Sequence, residues 1–182
     1  AGGGAGRRWE SPDSCRTLRC AGARPGGTGG AYDTGPSGDC TRPGTMGWSA
    51  APGQERFTTW REVTTVYHEG VPGHHLQVAQ VAMNAASLTR YQRMLFVSGH
   101  GEGWALYAER LMDELGWFGD AGERLGMLDG HAFRAARVVL DIGAHLELPI
   151  PKNALGFYEG ERWTPERMQE LITSHTLVEG PY

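Results

Sequence analysis

The chain has little cysteine, with only three such residues among 182. Cys15, Cys20 and Cys40 all lie near the beginning of the sequence, far from its histidines. An odd number at these spacings is typical neither of a disulfide framework nor of a cysteine-rich zinc site. We therefore expect unpaired thiols in a reducing compartment, which favours a cytoplasmic location.

Long hydrophobic runs are also absent. No window of the sequence approaches the ~20 apolar residues that a transmembrane helix needs, so we expect no membrane span. The first residues lack the basic stretch followed by an apolar run that marks a signal peptide.

Acidic residues outnumber basic ones by 21 to 17, for a net charge of −4. This balance disfavours nucleic acid and anionic membrane surfaces as main partners.

Convincing strand patterns are missing as well, whereas apolar residues recur at three- and four-residue steps from residue 57 onward. This helical spacing predicts helices over residues 57–68, 75–83, 88–97, 102–115, 122–146 and 165–173. Residues 1–30 are rich in glycine and arginine and predict a disordered or non-native segment. We therefore expect an all-α fold over residues 31–182, preceded by an irregular N-terminal segment.

The most informative feature is a cluster of histidines and a carboxylate around residues 68–75. Imidazoles and carboxylates are zinc ligands, and such sites often keep one further carboxylate as a base. The familiar H-E-x-x-H motif is missing, because Pro72 stands four positions after His68. On a straight helix, His75 would share the face of His68 to within about 20°, whereas His74 would point about 120° away. A break at Pro72 would let either histidine reach the metal, and we favour His75, with His74 as the alternative.

A catalytic zinc site needs a third protein ligand and an open position. Glu102, at the start of a predicted helix, is the leading candidate, and His100 is its rival. Glu109 lies two turns further along that helix, where it would contact a ligand rather than the metal. Glu69 directly follows His68, and a carboxylate in this position takes a proton from the attacking water. The alternative is a polar helix junction that binds no metal.

A polar stripe runs along the longest predicted helix, whose flanking residues are apolar. Its members are spaced by three and four residues: Arg134, Arg137, Asp141 and His145. Such a stripe either faces water as a ladder of ion pairs or lines a polar cavity. In a cavity, His145 and Arg137 would hold a substrate carboxylate or a developing oxyanion, which would make them catalytic residues.

The features above fall within three longer motifs: His68-Glu69-Gly70-Val71-Pro72-Gly73-His74-His75-Leu76-Gln77, Glu102-Gly103-Trp104-Ala105-Leu106-Tyr107-Ala108-Glu109, and Arg134-Ala135-Ala136-Arg137-Val138-Val139-Leu140-Asp141-Ile142-Gly143-Ala144-His145. In this order they resemble the DUF885 family, a group of bacterial proteins regarded as zinc metallopeptidases of the gluzincin type. The resemblance implies a largely helical fold, a metal held by the histidine cluster and Glu102, and Glu69 as the general base.

The resemblance further implies that residues 31–182 are the metal-site core of a longer domain. The predicted function is zinc-dependent hydrolysis of a peptide bond, with a peptide or another small amide as substrate. One alternative is a helical module that binds a metal without catalysis. Another is a metal-dependent hydrolase of a non-peptide amide or ester. The sequence does not indicate the oligomeric state.

Overall fold

The computed structural model describes residues 13–25, 29–50, 53 and 56–178. The elements are, in chain order, α1 (Asp13–Arg16), β1 (Leu18–Pro25), β2 (Gly29–Thr34), β3 (Gly44–Ala50), α2 (Thr59–Glu69), α3 (His74–Met83), a short 3-10 turn (Ala85–Ser87), α4 (Arg90–Met94), α5 (Ser98–Glu114), α6 (Ala121–His145) and α7 (Pro165–His175). Each helix in this part of the chain is too short or too polar to cross a bilayer.

The all-α prediction is wrong, because the described residues also form a three-stranded sheet beside the dominant helices. The strand order is β1-β3-β2, with β1 parallel and β2 antiparallel to the central strand. The strands are rich in glycine and alanine and poor in β-branched residues, so they lack the usual strand signature. Ladder hydrogen bonds and packing on α2 stabilise them instead.

The N-terminal segment is therefore more regular than its composition predicts. Residues 13–25 contain α1 and β1, and residues 29–30 begin β2. Residues 1–12 and 26–28, on which the same prediction falls, lie outside the described residues.

The chain divides into two compact units, Ala1–Arg124 and Leu125–Tyr182. In the first unit the sheet packs on α2, and the Trp48 indole N–H donates to a Glu62 carboxylate oxygen across 2.7 Å. The second unit has its own apolar core, with Leu140, Ile150, Phe157, Leu171 and Ile172 buried together.

Most predicted helices are confirmed in position, and their ends differ by a few residues. Thr164 is the N-cap of α7, and its hydroxyl accepts from the Arg167 N–H at 3.3 Å. The predicted helix 88–97 is wrong in extent, because α4 ends at Met94 and an extended backbone follows. The expected break at residues 98–101 is also wrong. These residues form the first turn of α5, and the Val97 carbonyl accepts from two of their N–H groups.

A buried disulfide joins Cys15 to Cys40, so the expectation of three unpaired thiols is wrong for this pair. The cause is the parallel register, in which Leu18 lies opposite Gly44. Cys15 and Cys40 come shortly before these two paired residues in the sequence, so the register brings them side by side. Their Cα atoms lie 5.0 Å apart. Cys20 is exposed and forms no disulfide. The cytoplasmic location stays a prediction, and the disulfide counts against it.

We expect the Cys15→Ser variant to lose stability, because the bond closes a loop of 25 residues. Chain-entropy arguments predict a loss of about 3 kcal/mol in the free energy of unfolding. Urea denaturation followed by circular dichroism measures this loss. Cys20→Ser is the matched control and should unfold like the parent protein. A Cys15→Ser variant as stable as the parent would show that the bond does not form.

Candidate metal centre

A break between α2 and α3 brings the histidines together. The first helix ends at Glu69 and the second begins at His74, with a turn over residues 70–73. The Gly73 N–H donates to the Tyr67 carbonyl at 3.0 Å, which closes this turn. The rings of His68 and His74 consequently lie 4.8 Å apart between centroids and stand perpendicular to each other. The break predicted around Pro72 is confirmed.

The turn depends on close packing of its backbone. A Cβ atom on Gly73 would lie 1.9 Å from the His68 carbonyl oxygen, so a larger residue does not fit there. The indole N–H of Trp104 donates to the carbonyls of Pro72 and Gly73, at 2.9 and 3.3 Å. Because Trp104 lies on α5 two positions after Glu102, this contact links the turn to the helix that carries the predicted third ligand.

Glu102 lies beside both histidines. Its Oε2 atom is 3.4 Å from His68 Nε2 and 3.5 Å from His74 Nε2. Within the described part of the chain, these three residues form a group whose ligand atoms all lie within 4.8 Å of one another. The histidines are buried, whereas the Glu102 side chain is 53% exposed. The group is therefore closed on the histidine side and open to solvent on the side of the carboxylate.

This spacing fits a metal ion. Ligand atoms about 2.0–2.1 Å from one tetrahedral zinc ion lie about 3.3–3.4 Å apart. The distances of 3.4 and 3.5 Å from Glu102 Oε2 to the two Nε2 atoms are close to that spacing and are long for hydrogen bonds between charged groups. Two imidazole nitrogens and a carboxylate oxygen also form a donor set that suits zinc. The residues present would therefore hold such an ion, with room for a further ligand on the open side.

His75, the favoured ligand in the sequence analysis, lies outside the group of His68, His74 and Glu102. His75 faces β2, and its Nδ1 lies 2.9 Å from the hydroxyl of Tyr32. Because the turn interrupts the helix before His74, the angles of a straight helix from His68 do not apply. His75 follows His74 on the new helix, so its side chain points about 100° away from that of His74. His74, the alternative, lies in the group instead, and the choice between the two as ligands stays a prediction.

The environment of His75 keeps its ring neutral. Burial lowers its pKa, and the backbone of Arg16 opposes this effect only in part. Burial also raises the pKa of Tyr32 to about 12, although the nearby Arg42 acts in the opposite direction. The tyrosine therefore stays protonated and can donate its hydrogen to the imidazole.

His100, the rival of Glu102, lies outside the group. Its Nδ1 is 3.2 Å from the side-chain amide nitrogen of Gln77, and its side chain is exposed. It belongs to the first turn of α5, two residues before Glu102.

Glu109 is fully buried behind His68. One of its oxygens lies 2.6 Å from His68 Nδ1, and the other accepts a short hydrogen bond from the Thr64 hydroxyl. A carboxylate at Nδ1 holds the proton there, so the lone pair of Nε2 points toward Glu102. The predicted role of Glu109 as a carboxylate behind a ligand agrees with this geometry. Thr64 was missed, although it lies one helical turn before His68 and therefore on the same face.

Glu69, the predicted base, ends α2 next to the group. Its Oε2 accepts a hydrogen bond from the backbone N–H of Tyr32 at 3.0 Å. Tyr32 lies on β2, so a strand of the sheet orients the carboxylate. Sequence reasoning missed this contact because β2 has no strand pattern.

The two other predicted catalytic residues lie on α6, in the second unit. The Arg137 guanidinium lies over the Phe133 ring, 5.6 Å from its centroid. His145 Nδ1 donates to the Asp141 carbonyl at 2.9 Å, and its side chain is 77% exposed. A role of Arg137 and His145 in binding substrate stays a prediction.

Comparison with known proteins identifies the family. No curated protein matches the sequence. The sequence model described as "Bacterial protein of unknown function (DUF885)" matches residues 10–180, which is nearly the whole chain. That region includes the helix break, Glu102 and Glu109, and the match agrees with the three motifs that suggested the resemblance. The chain therefore belongs to the DUF885 family.

Proposed function

We propose that this protein is a zinc-dependent hydrolase that cleaves peptide bonds. His68, His74 and Glu102 would hold the ion, and Glu69 would be the general base. The observation that supports this proposal most strongly is the position of Glu102 Oε2, which lies at the spacing of coordinated ligands from both imidazole nitrogens, in a group whose ligand atoms all lie within 4.8 Å of one another. A carboxylate in the position of Glu69, directly after a ligand histidine, supplies the remaining group that hydrolysis needs.

When bound, zinc would polarise a substrate carbonyl and lower the pKa of a water molecule. The residues of the chain have separate tasks. Glu109 and Thr64 hold the His68 ring in one tautomer and orientation. Glu69 accepts the proton of the attacking water and passes it to the leaving amine. The Tyr32 N–H fixes the orientation of that carboxylate. Substrate would approach from the exposed side of Glu102.

The ligand assignment predicts different metal contents for two neighbouring variants. His74→Gln should lose bound zinc, because a ligand nitrogen is removed. His75→Gln should keep it, because glutamine still offers Tyr32 a hydrogen-bond partner. Elemental analysis of the purified proteins measures the difference, and circular dichroism checks that both are folded. The opposite pattern would return the ligand role to His75.

The Glu69→Gln variant should bind zinc normally but lose hydrolysis by at least about a hundredfold, the contribution of a positioned general base. Peptide cleavage followed by mass spectrometry measures the rate, and elemental analysis measures the metal. Glu114→Gln is the control, since this exposed glutamate pairs with Arg110 on the surface of α5. If Glu69→Gln keeps the parent rate, Glu69 is not the base. If the parent protein binds zinc but cleaves nothing, a non-catalytic metal module is favoured.

Removal of the buried charge behind His68 should weaken the metal site. Glu109→Gln keeps the size of the side chain but no longer stabilises the proton on His68 Nδ1. We expect zinc affinity to fall by about 10- to 100-fold, as for other residues that orient a ligand. Competition with a chromogenic chelator measures the affinity. Glu114→Gln again serves as the control. Unchanged affinity in Glu109→Gln would contradict an orienting role.

A further inference from the structure

An exposed aromatic ring stands directly beside the candidate metal centre. The Phe96 ring lies 6.3 Å from the His74 ring between centroids, in an edge-on arrangement, and its residue is 55% exposed. It belongs to the extended backbone between α4 and α5. Phe96 thus contacts a proposed ligand on one side while the rest of its apolar surface faces solvent.

The first turn of α5 is shaped to accept this ring. A Cβ atom on Gly101 would lie 2.3 Å from the Phe96 ring, so the absence of a side chain there creates the space that the ring occupies. Gly101 directly precedes Glu102, whose exposed carboxylate marks the open side of the group. The phenylalanine is therefore held between the helix turns that carry His74 and Glu102.

The neighbours of Phe96 extend this apolar surface. Met94, Leu95 and Val97 are also exposed, at 72%, 49% and 51%. A run of four exposed apolar residues is unusual away from a binding site, because each would gain free energy by leaving water. Single exposed apolar residues need no explanation, but this run flanks a group with the geometry of a metal site.

We infer that Phe96 determines specificity by contacting an apolar side chain of the substrate, next to the bond that is cleaved. The inference rests on the proposed function and adds the substrate class: peptides with an aromatic or large aliphatic residue beside the scissile bond. A substrate whose carbonyl reaches the centre of His68, His74 and Glu102 would lie beside the His74 ring. The Phe96 ring stands 6.3 Å from that ring, so the adjoining side chain of the substrate can contact it. Aromatic rings favour stacked or edge-on partners at 4.5–7 Å, which gives this contact its preference.

Two zinc-binding probes test the inference without requiring turnover. Acetohydroxamic acid carries only the zinc-binding group, and 3-phenylpropanohydroxamic acid adds a phenyl ring. Calorimetry on the zinc-loaded full chain should show about tenfold tighter binding of the phenyl compound, as expected for one additional aromatic contact. Phe96→Ala should bring the ratio of the two affinities close to one, while zinc content and the affinity for acetohydroxamic acid stay unchanged. Phe96→Leu should keep part of the ratio.

Tyr91→Ala is the control, because Tyr91 is an exposed aromatic residue of α4 with 71% exposure. This variant should keep the parent ratio of the two affinities.

An unchanged affinity ratio in Phe96→Ala, or an equal fall of the ratio in both variants, overturns the inference. The inference is also overturned if the parent protein is a dimer, Phe96→Ala is a monomer and the affinity ratio is unchanged. In that case a second copy of the chain covers the ring. If the parent chain binds no zinc, the proposed function fails and the inference fails with it. If zinc and both probes bind without preference, only the inference fails.

Discussion

The candidate site depends on the tight turn that follows Glu69. The backbone at Gly73 approaches the His68 carbonyl so closely that no side chain fits. This contact restarts the helix at His74 and places its ring across from His68. A continuous helix would have separated the two imidazoles along its axis, since each residue adds 1.5 Å of rise. The turn therefore brings together two imidazoles that a continuous helix would keep apart.

Around that turn, each side chain is oriented by an element distant in sequence. Glu109 on α5 contacts His68 from behind, and Tyr32 on β2 holds Glu69. Trp104 connects the turn to α5. The sheet is small and was not expected, yet it contributes the N–H group that orients the proposed base. The helices supply the proposed ligands, and β2 contacts the proposed base beside them.

Much of the site could be predicted from residue type and spacing. His68 and Glu102 were identified because few patterns other than a metal site combine such residues around a Pro-Gly break. The choice between His74 and His75 could not be made, because it depends on how the chain turns over four residues. The strands and the disulfide were missed for a related reason. Both depend on the register of β1 against β3, which joins residues far apart in sequence and leaves no local pattern.

The unequal exposure of the three ligand residues has a consequence for how the centre would assemble. The imidazoles are enclosed and already oriented by neighbouring groups, whereas the Glu102 carboxylate faces bulk water. The histidine pair thus forms a preorganised half-site, and the carboxylate completes it from outside. A dissolved ion and a competing chelator would reach the imidazole nitrogens through the same opening. Exchange of the ion with solvent would therefore be governed by the rotamer of one glutamate rather than by opening of the fold.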